Sequence, residues 1–324
     1  MTDTQNEVFK TPVNKIRLFE HGAPGSQNLK LTRKYYTEDM PDGRVKHIVQ
    51  NITDPDIVPY IPDGIGNSTD RQRIPAVLII PGGAFRRLVY NFEGEDVAKW
   101  LNSMGIAAFV LECRLPSDEH DNAEDVPLID AMRAMRVIRG RAQEFGIDEA
   151  KIGVMGFSAG GFMAALLSTA YESDVYADYK YKDEYDKLSA RPDFAVCSYP
   201  VISIDDCIEA GKRYMSEEQV LERISDSKAK ILHKYNPDKL VRPDMPPVFI
   251  CETDDDRTTL SENSVGFYMA ARKAGVSAEL HIFRTGGHGY GCGDDFAQTG
   301  EWKVLFTKWI TPCRKMMTGV CSCE

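Results

Sequence analysis

The sequence predicts an α/β fold, with a mostly parallel central sheet and helices on both of its faces. Two observations carry this. Six short apolar runs, at 75–81, 106–111, 151–156, 194–199, 247–252 and 278–283, have the length and composition of buried strands. Stretches with helical spacing alternate with them, and strands alternating with helices pair in parallel under two helical layers. The stretch 94–104 sets Val97, Trp100, Leu101 and Met104 on one face. The stretch 128–145 does the same with Leu128, Met132, Met135, Ile138 and Ala142. A third helix over 261–274 ends at Gly275, as a helix stop should.

Outside this core, residues 1–70 are polar and proline-rich, and are expected to form a short β-containing arm on the sheet edge. Residues 71–324 then make up the α/β domain, with insertions at about 171–191 and 205–240. Active sites of open α/β sheets lie beyond the carboxyl ends of the strands, where connections converge. Both insertions are therefore expected to shape the substrate site. The first contains Tyr171, Tyr176, Tyr179, Tyr181 and Tyr185. Tyrosine faces suit sugar rings, and they serve equally to pack an insertion onto the body. Both segments are too polar for the apolar lid of a lipase, which points to a soluble substrate.

One motif dominates the chain. KIGVMGFSAGGFMAALLSTA (151–170) is an apolar run, a Gly-Ser-Gly turn at Gly156, Ser158 and Gly160, and a small-residue helix. A sharp strand-to-helix turn of this kind lifts a serine hydroxyl above the sheet. Glycines two residues either side leave room where a side chain would collide. A serine hydroxyl is a poor nucleophile until an imidazole takes its proton and a carboxylate orients that imidazole. Both partners follow. PPVFICETDDD (246–256) is an apolar run that ends in Asp254, Asp255 and Asp256, of which one at most can face an imidazole. ELHIFRTGGHGYG (279–291) is a strand followed by His288 among glycines. His281 reads as a strand residue, and His21, His47, His120 and His233 as surface or loop residues. Upstream, IPAVLIIPGGAFRRL (74–88) is a strand that ends in small residues. The N–H groups of Gly83, Ala84 and Ala159 are the expected donors to an oxyanion.

Ser, Asp, His is the chain order of the α/β-hydrolases. IIPGGAF, NFEGEDVAKWLNSMGIAAFVLECRLP, GVMGFSAGGFMAALL and ENSVGFYMAARKAGVSAELHIFRTGGHGYG resemble the serine esterases of that superfamily grouped with bacterial acetyl-xylan esterases and related carbohydrate esterases. The likeness runs from about residue 75 to 310, with a fainter match at EHGAPGSQ (20–27). It implies an α/β-hydrolase fold and a cofactor-free acyl-enzyme mechanism. It also implies a small-molecule substrate, a short acyl ester, with acetyl groups on xylan-derived oligosaccharides foremost. Feruloyl esters and peptides are the alternative substrates, and a non-catalytic binding protein on the same fold is a further alternative. In the family the acid lies in a DDPVVPVENS-like stretch, and aligning Glu262-Asn263-Ser264 with it puts the acid at Asp256. The chain departs there, with Arg257-Thr258-Thr259-Leu260 in place of apolar and proline residues. It also reads PGGAF where PGGGY is commoner; alanine keeps the N–H.

Composition narrows the class further. A formal net charge of −10 argues against a nucleic-acid partner or an anionic membrane surface. No run of 18 apolar residues is present to span a membrane, and the start, MTDTQNEVFK, has no leader pattern, which points to the cytoplasm. Of eight cysteines, Cys113, Cys197 and Cys251 lie in or beside apolar runs and are expected to behave as small buried hydrophobes. Cys313, Cys321 and Cys323 cluster in the tail without the paired spacing of a metal site, so no metal is expected.

Overall fold

A computed structural model describes residues 9, 14–65, 73–213, 216, 218–219, 229–293 and 298–316. Four strands come first: β1 (Ile16–Arg17), β2 (Lys34–Asp39), β3 (Val45–Gln50) and β4 (Asp56–Tyr60). β5 (Ile74–Ile80) and β6 (Leu88–Val89) follow, and a wide turn of π-helical form (Asn91–Glu95) leads into α1 (Asp96–Ser103). Then come β7 (Ala107–Glu112), α2 (Val126–Gly140), α3 (Ala142–Phe145), β8 (Ile147–Phe157) and α4 (Ala159–Ala170). β9 (Ala195–Ser198), α5 (Ile204–Lys212), α6 (Ala229–Lys234), β10 (Val248–Thr253), α7 (Ser261–Lys273), β11 (Ala278–Phe283) and α8 (Glu301–Met316) complete the chain.

All six apolar runs are strands, and their ends lie close to those expected. They form one side of an eight-stranded sheet in the order β1-β4-β7-β5-β8-β9-β10-β11. From β7 to β11 neighbouring strands pair in parallel, whereas β4 runs antiparallel to β7, and β1 antiparallel to β4. β2, β3 and β6 make a separate antiparallel sheet. Right-handed crossovers settle the layers. The step from β5 to β7 runs one way along the sheet and the steps from β7 through β11 the other, so α1 lies on one face and α2, α4 and α7 on the opposite one. α8 joins α1, with Trp100 and Trp302 ring centroids 4.9 Å apart.

The helix expected over 128–145 breaks after Gly140, where Arg141 leaves the helical angles (φ −102°, ψ 17°) and the short α3 follows. Gly140 itself makes room for the Tyr185 ring, which a Cβ there would approach to 2.3 Å. At the sheet edge an ionic cluster ties the first strands to the core. Arg33 bridges Asp56 (2.5 Å) and Glu112 (2.7 Å), and Lys15 reaches Glu112 (2.6 Å). Beyond β7, the wholly buried pair Arg114 and Asp130 (2.7 Å) pins the connection to α2.

The 171–191 segment departs from expectation. It runs from the end of α4 to the start of β9, so it is anchored at the end of the sheet opposite Ser158. Only strand-to-helix connections meet at the carboxyl ends, and this is a helix-to-strand connection. Its tyrosines mostly pack the segment down. Tyr176 bonds Arg136 and Asp186, Tyr179 donates to the Gly22 carbonyl (2.9 Å), and Tyr171 donates to Asp244 (2.7 Å). Tyr181 alone of the five is exposed, beside His21. The 205–240 stretch, by contrast, begins at the carboxyl end of β9. Its described parts reach the starts of α7 and α2 through Arg213–Glu262 (2.8 Å) and Lys234–Asp125 (2.6 Å).

His120 lies in a loop, as expected, but is not at the surface: it is 5% exposed, with Nδ1 3.0 Å from Ser26 Oγ and Nε2 buried without a partner. Burial, then the nearby Arg114 charge, pushes it down to about 4. The unfolded chain, titrating near ~6.5, therefore takes the proton first, and folding loses stability as pH falls through that window. Asp56 and Asp118, raised to about 6 chiefly by burial, act with the opposite sign over the same range. The difference between variants is thus the readout. His120→Gln is expected to lose less melting temperature than the wild type between pH 7 and 4, by differential scanning calorimetry. Parallel curves would refute the assignment.

Candidate active site

Ser158 follows β8 at the centre of the sheet. Its φ of 54° and ψ of −119° turn the chain straight from strand into α4. The flanking glycines are there because backbone meets backbone. A Cβ on Gly156 would lie 1.9 Å from the Gly160 carbonyl oxygen, and one on Gly160 would lie 2.0 Å from that of Ile80.

The three elements expected around the serine come together. Ser158 Oγ is 2.9 Å from His288 Nε2, and His288 Nδ1 is 2.6 Å from Asp256 Oδ2. The Asp256 side chain is fully buried, while His288 keeps about a fifth of its surface open. Burial alone would raise the Asp256 carboxyl; its bond to His288 and the N–H groups of Thr259 and Thr258 hold it below the usual range. Those two N–H groups donate to Oδ1 at 3.0 and 2.7 Å. The Thr259 hydroxyl donates to Oδ2 (3.0 Å) and lies 3.2 Å from His288 Nδ1. The residues that depart from the family pattern are thus the ones that grip the carboxylate. Asp255 instead accepts the Gly287 N–H (2.8 Å), steadying the histidine loop, and Asp254 is exposed.

The loop after β5 packs directly against the serine: a Cβ on Gly82 would lie 2.9 Å from Ser158 Cβ. The Gly82 N–H is taken by Glu93 Oε2 (2.8 Å). Among the described residues no acceptor takes the N–H of Gly83 or Ala84. Ala159 opens α4, where first-turn N–H groups have no partner within the helix. Ala84 and Phe85 hold φ of 57° and 59°, and the Phe85 ring meets Phe162 of α4 edge-on at 5.5 Å. A narrow recess beside the loop, lined by Phe85, Leu115, Pro116, Ala159 and Met163, has room for about one water-sized group.

Four neighbours were not foreseen: Glu93, Tyr199, Glu252 and Thr259. Glu252 is buried behind Asp256, and burial followed by the Asp256 charge keeps its carboxyl raised well above the usual range. A charged residue ending the apolar run VFICE was a readable signal for it. Glu93 had none, because NFEGED carries three acids and no spacing separates the buried one from the others.

Among the described residues no group of three or more His, Cys, Asp and Glu side chains could hold a metal ion. None of their helices is long and apolar enough to cross a membrane. Cys113, Cys197 and Cys251 are buried, as expected. The side chain of Cys313 and the whole of Cys321 and Cys323 lie outside the described residues.

The sheet order and the strand–turn–helix serine are those of the α/β-hydrolases. The BD-FAE family matches residues 65–270, well over half of the chain, and the chain belongs to that family. It is 31% identical over 237 residues to an acetylxylan esterase of Xylanibacter ruminicola, covering 72% of this chain and 45% of that protein. The chain thus spans less than half the length of the curated relatives it matches. Among solved structures, an acetyl ester-xyloside bifunctional hydrolase from Caldicellulosiruptor lactoaceticus is 37% identical at a TM-score of 0.63, over 80% of this chain and 88% of that one. A thermophilic esterase from Thermogutta terrifontis, 22% identical with a TM-score of 0.61 over 93% and 97% of the two chains, shares the fold.

Proposed function

We propose that this chain is a serine esterase that removes short acyl groups, acetyl foremost, from xylan-derived oligosaccharides. The observation that carries the serine mechanism is the unbroken line Ser158–His288–Asp256, at 2.9 and 2.6 Å. Ser158 Oγ attacks the ester carbonyl carbon while its proton passes to His288 Nε2. The N–H groups of Gly83, Ala84 and Ala159 receive the oxyanion. The carbon–oxygen bond to the sugar then breaks, and His288 returns the proton to the leaving oxygen. Water adds to the acyl-enzyme, giving its proton to His288; the acid departs and the Ser158 hydroxyl is restored. Asp256 keeps the Nδ1 proton in place and stabilises the imidazolium. The substrate class is supported by the relatives' names and by the small recess beside Ala159, which suits a methyl group better than a longer chain.

Two measurements test this. A fluorophosphonate should add to the protein, with the adduct mapping to Ser158 by peptide mass. Acetate release from acetylated xylo-oligosaccharides should run beside hydrolysis of p-nitrophenyl acetate, with slower turnover of the butyrate and of methyl ferulate. Nitrophenyl turnover alone would keep the esterase and reject the sugar substrate. An adduct elsewhere, with Ser158 unlabelled, would remove the mechanism.

A further inference from the structure

Behind the site, one carboxyl group joins the loop after β5 to the loop that carries His288. Glu93, 5% exposed, sits in the wide turn before α1. Its Oε2 accepts the N–H of Gly82 (2.8 Å), and its Oε1 accepts the Tyr199 hydroxyl (2.9 Å). That same hydroxyl accepts the N–H of Gly291 (3.0 Å), three residues past His288. The Tyr199 ring meets the imidazole edge to face at 5.1 Å. Tyr199 holds a φ of 38°, an angle a tyrosine keeps only when its surroundings impose it. Two donors point at the two carboxyl oxygens, which is what a carboxylate needs and what a carboxylic acid, itself a donor, would partly waste.

We infer that Glu93 is a positioning residue, a buried carboxylate that holds the oxyanion loop and the histidine loop in register. The inference rests on the serine mechanism proposed above. Burial pushes the Glu93 carboxyl up; the His288 charge, the Tyr199 hydroxyl, the Gly82 N–H and Lys46 of β3 oppose that rise. The groups around the imidazole come from several elements. Asp256 and Thr259 face it from the loop after β10, Ser158 from the end of β8, and Tyr199 from the turn after β9. Glu252 stands behind Asp256, its carboxyl raised well above the usual range by burial and then by the Asp256 charge. Asp256 thus acts on the imidazole by contact, and Glu93 through the two loops that it joins.

Glu93→Gln keeps an acceptor for Gly82 and nearly all the volume, and removes the charge. With p-nitrophenyl acetate its kcat should fall about tenfold or more, with KM within about threefold. Glu93→Asp, which keeps the charge and shortens the tie, should fall between Glu93→Gln and the wild type in kcat. A kcat of Glu93→Gln within about twofold of the wild type, or a KM that rises as far as kcat falls, would overturn the tie. Should neither variant fold, carboxyl ¹³C titration of the wild type decides: Glu93 ionised at pH 7 supports the inference, and Glu93 protonated overturns it. Ser158→Ala, run alongside, separates the two ideas, since full turnover in that variant would sink the serine mechanism itself.

Discussion

Ser158→Ala is expected to lose on the order of 10⁴–10⁶ in turnover and to melt within about 2 °C of the wild type. The rate falls because only the hydroxyl can form the acyl bond; the oxyanion donors and His288 stay, and they account for what activity remains. Stability should hold because the unusual backbone angles at 158 cost alanine about what they cost serine. The hydroxyl's polar contact is with a histidine that keeps Asp256 as its second partner. Initial rates and a circular-dichroism melt check both halves. Turnover near that of the wild type would mean that another group attacks the ester.

Asp256→Asn should cost about 10⁴ in kcat with little change in KM, and the reason lies in which oxygen does what. Thr258 and Thr259 both offer N–H groups to Oδ1, so an asparagine would keep its carbonyl oxygen there. Its NH₂ would then face His288 Nδ1. The ring would answer by carrying its proton on Nε2, the nitrogen that has to receive the proton of Ser158. The neighbours make the control. Asp255→Ala removes an acceptor from the Gly287 N–H and should cost about tenfold, whereas Asp254→Ala, at an exposed position, should leave kcat unchanged. A ranking in which Asp255→Ala falls furthest would move the acid to that residue.

The fold was largely legible because it rests on local periodicity. Apolar runs at 75–81 and 151–156 are strands wherever a core can cover both faces, and Val97, Trp100 and Leu101 share a helix face by spacing alone. Gly156 and Gly160 were legible for a similar reason, since a turn that tight excludes side chains whatever surrounds it. What could not be read depends on distant partners. The glycine at 140 answers to Tyr185, forty-five positions on in the chain. The burial of His120 needs Ser26 and Arg114. The residues alone left Asp254, Asp255 and Asp256 open, because the N–H groups of Thr258 and Thr259 turn one of them inward and no pattern in the letters shows it. The insertion at 171–191 reads as part of the site because connections converge at the carboxyl ends of the strands, yet composition does not say at which end of the sheet a connection emerges.

The contacts at Gly156 and Gly160 have a consequence for how this protein can change. At these two positions the floor of the site is main chain set against main chain, with no side chain between that could be trimmed or enlarged. Mutation there has nowhere to go, so new preferences must be acquired at the walls. Phe85, Leu115 and Met163 border the recess beside Ala159, and the 205–240 stretch begins at the carboxyl end of β9. A lineage could therefore exchange one ester for another many times over while the turn beneath stayed as it is.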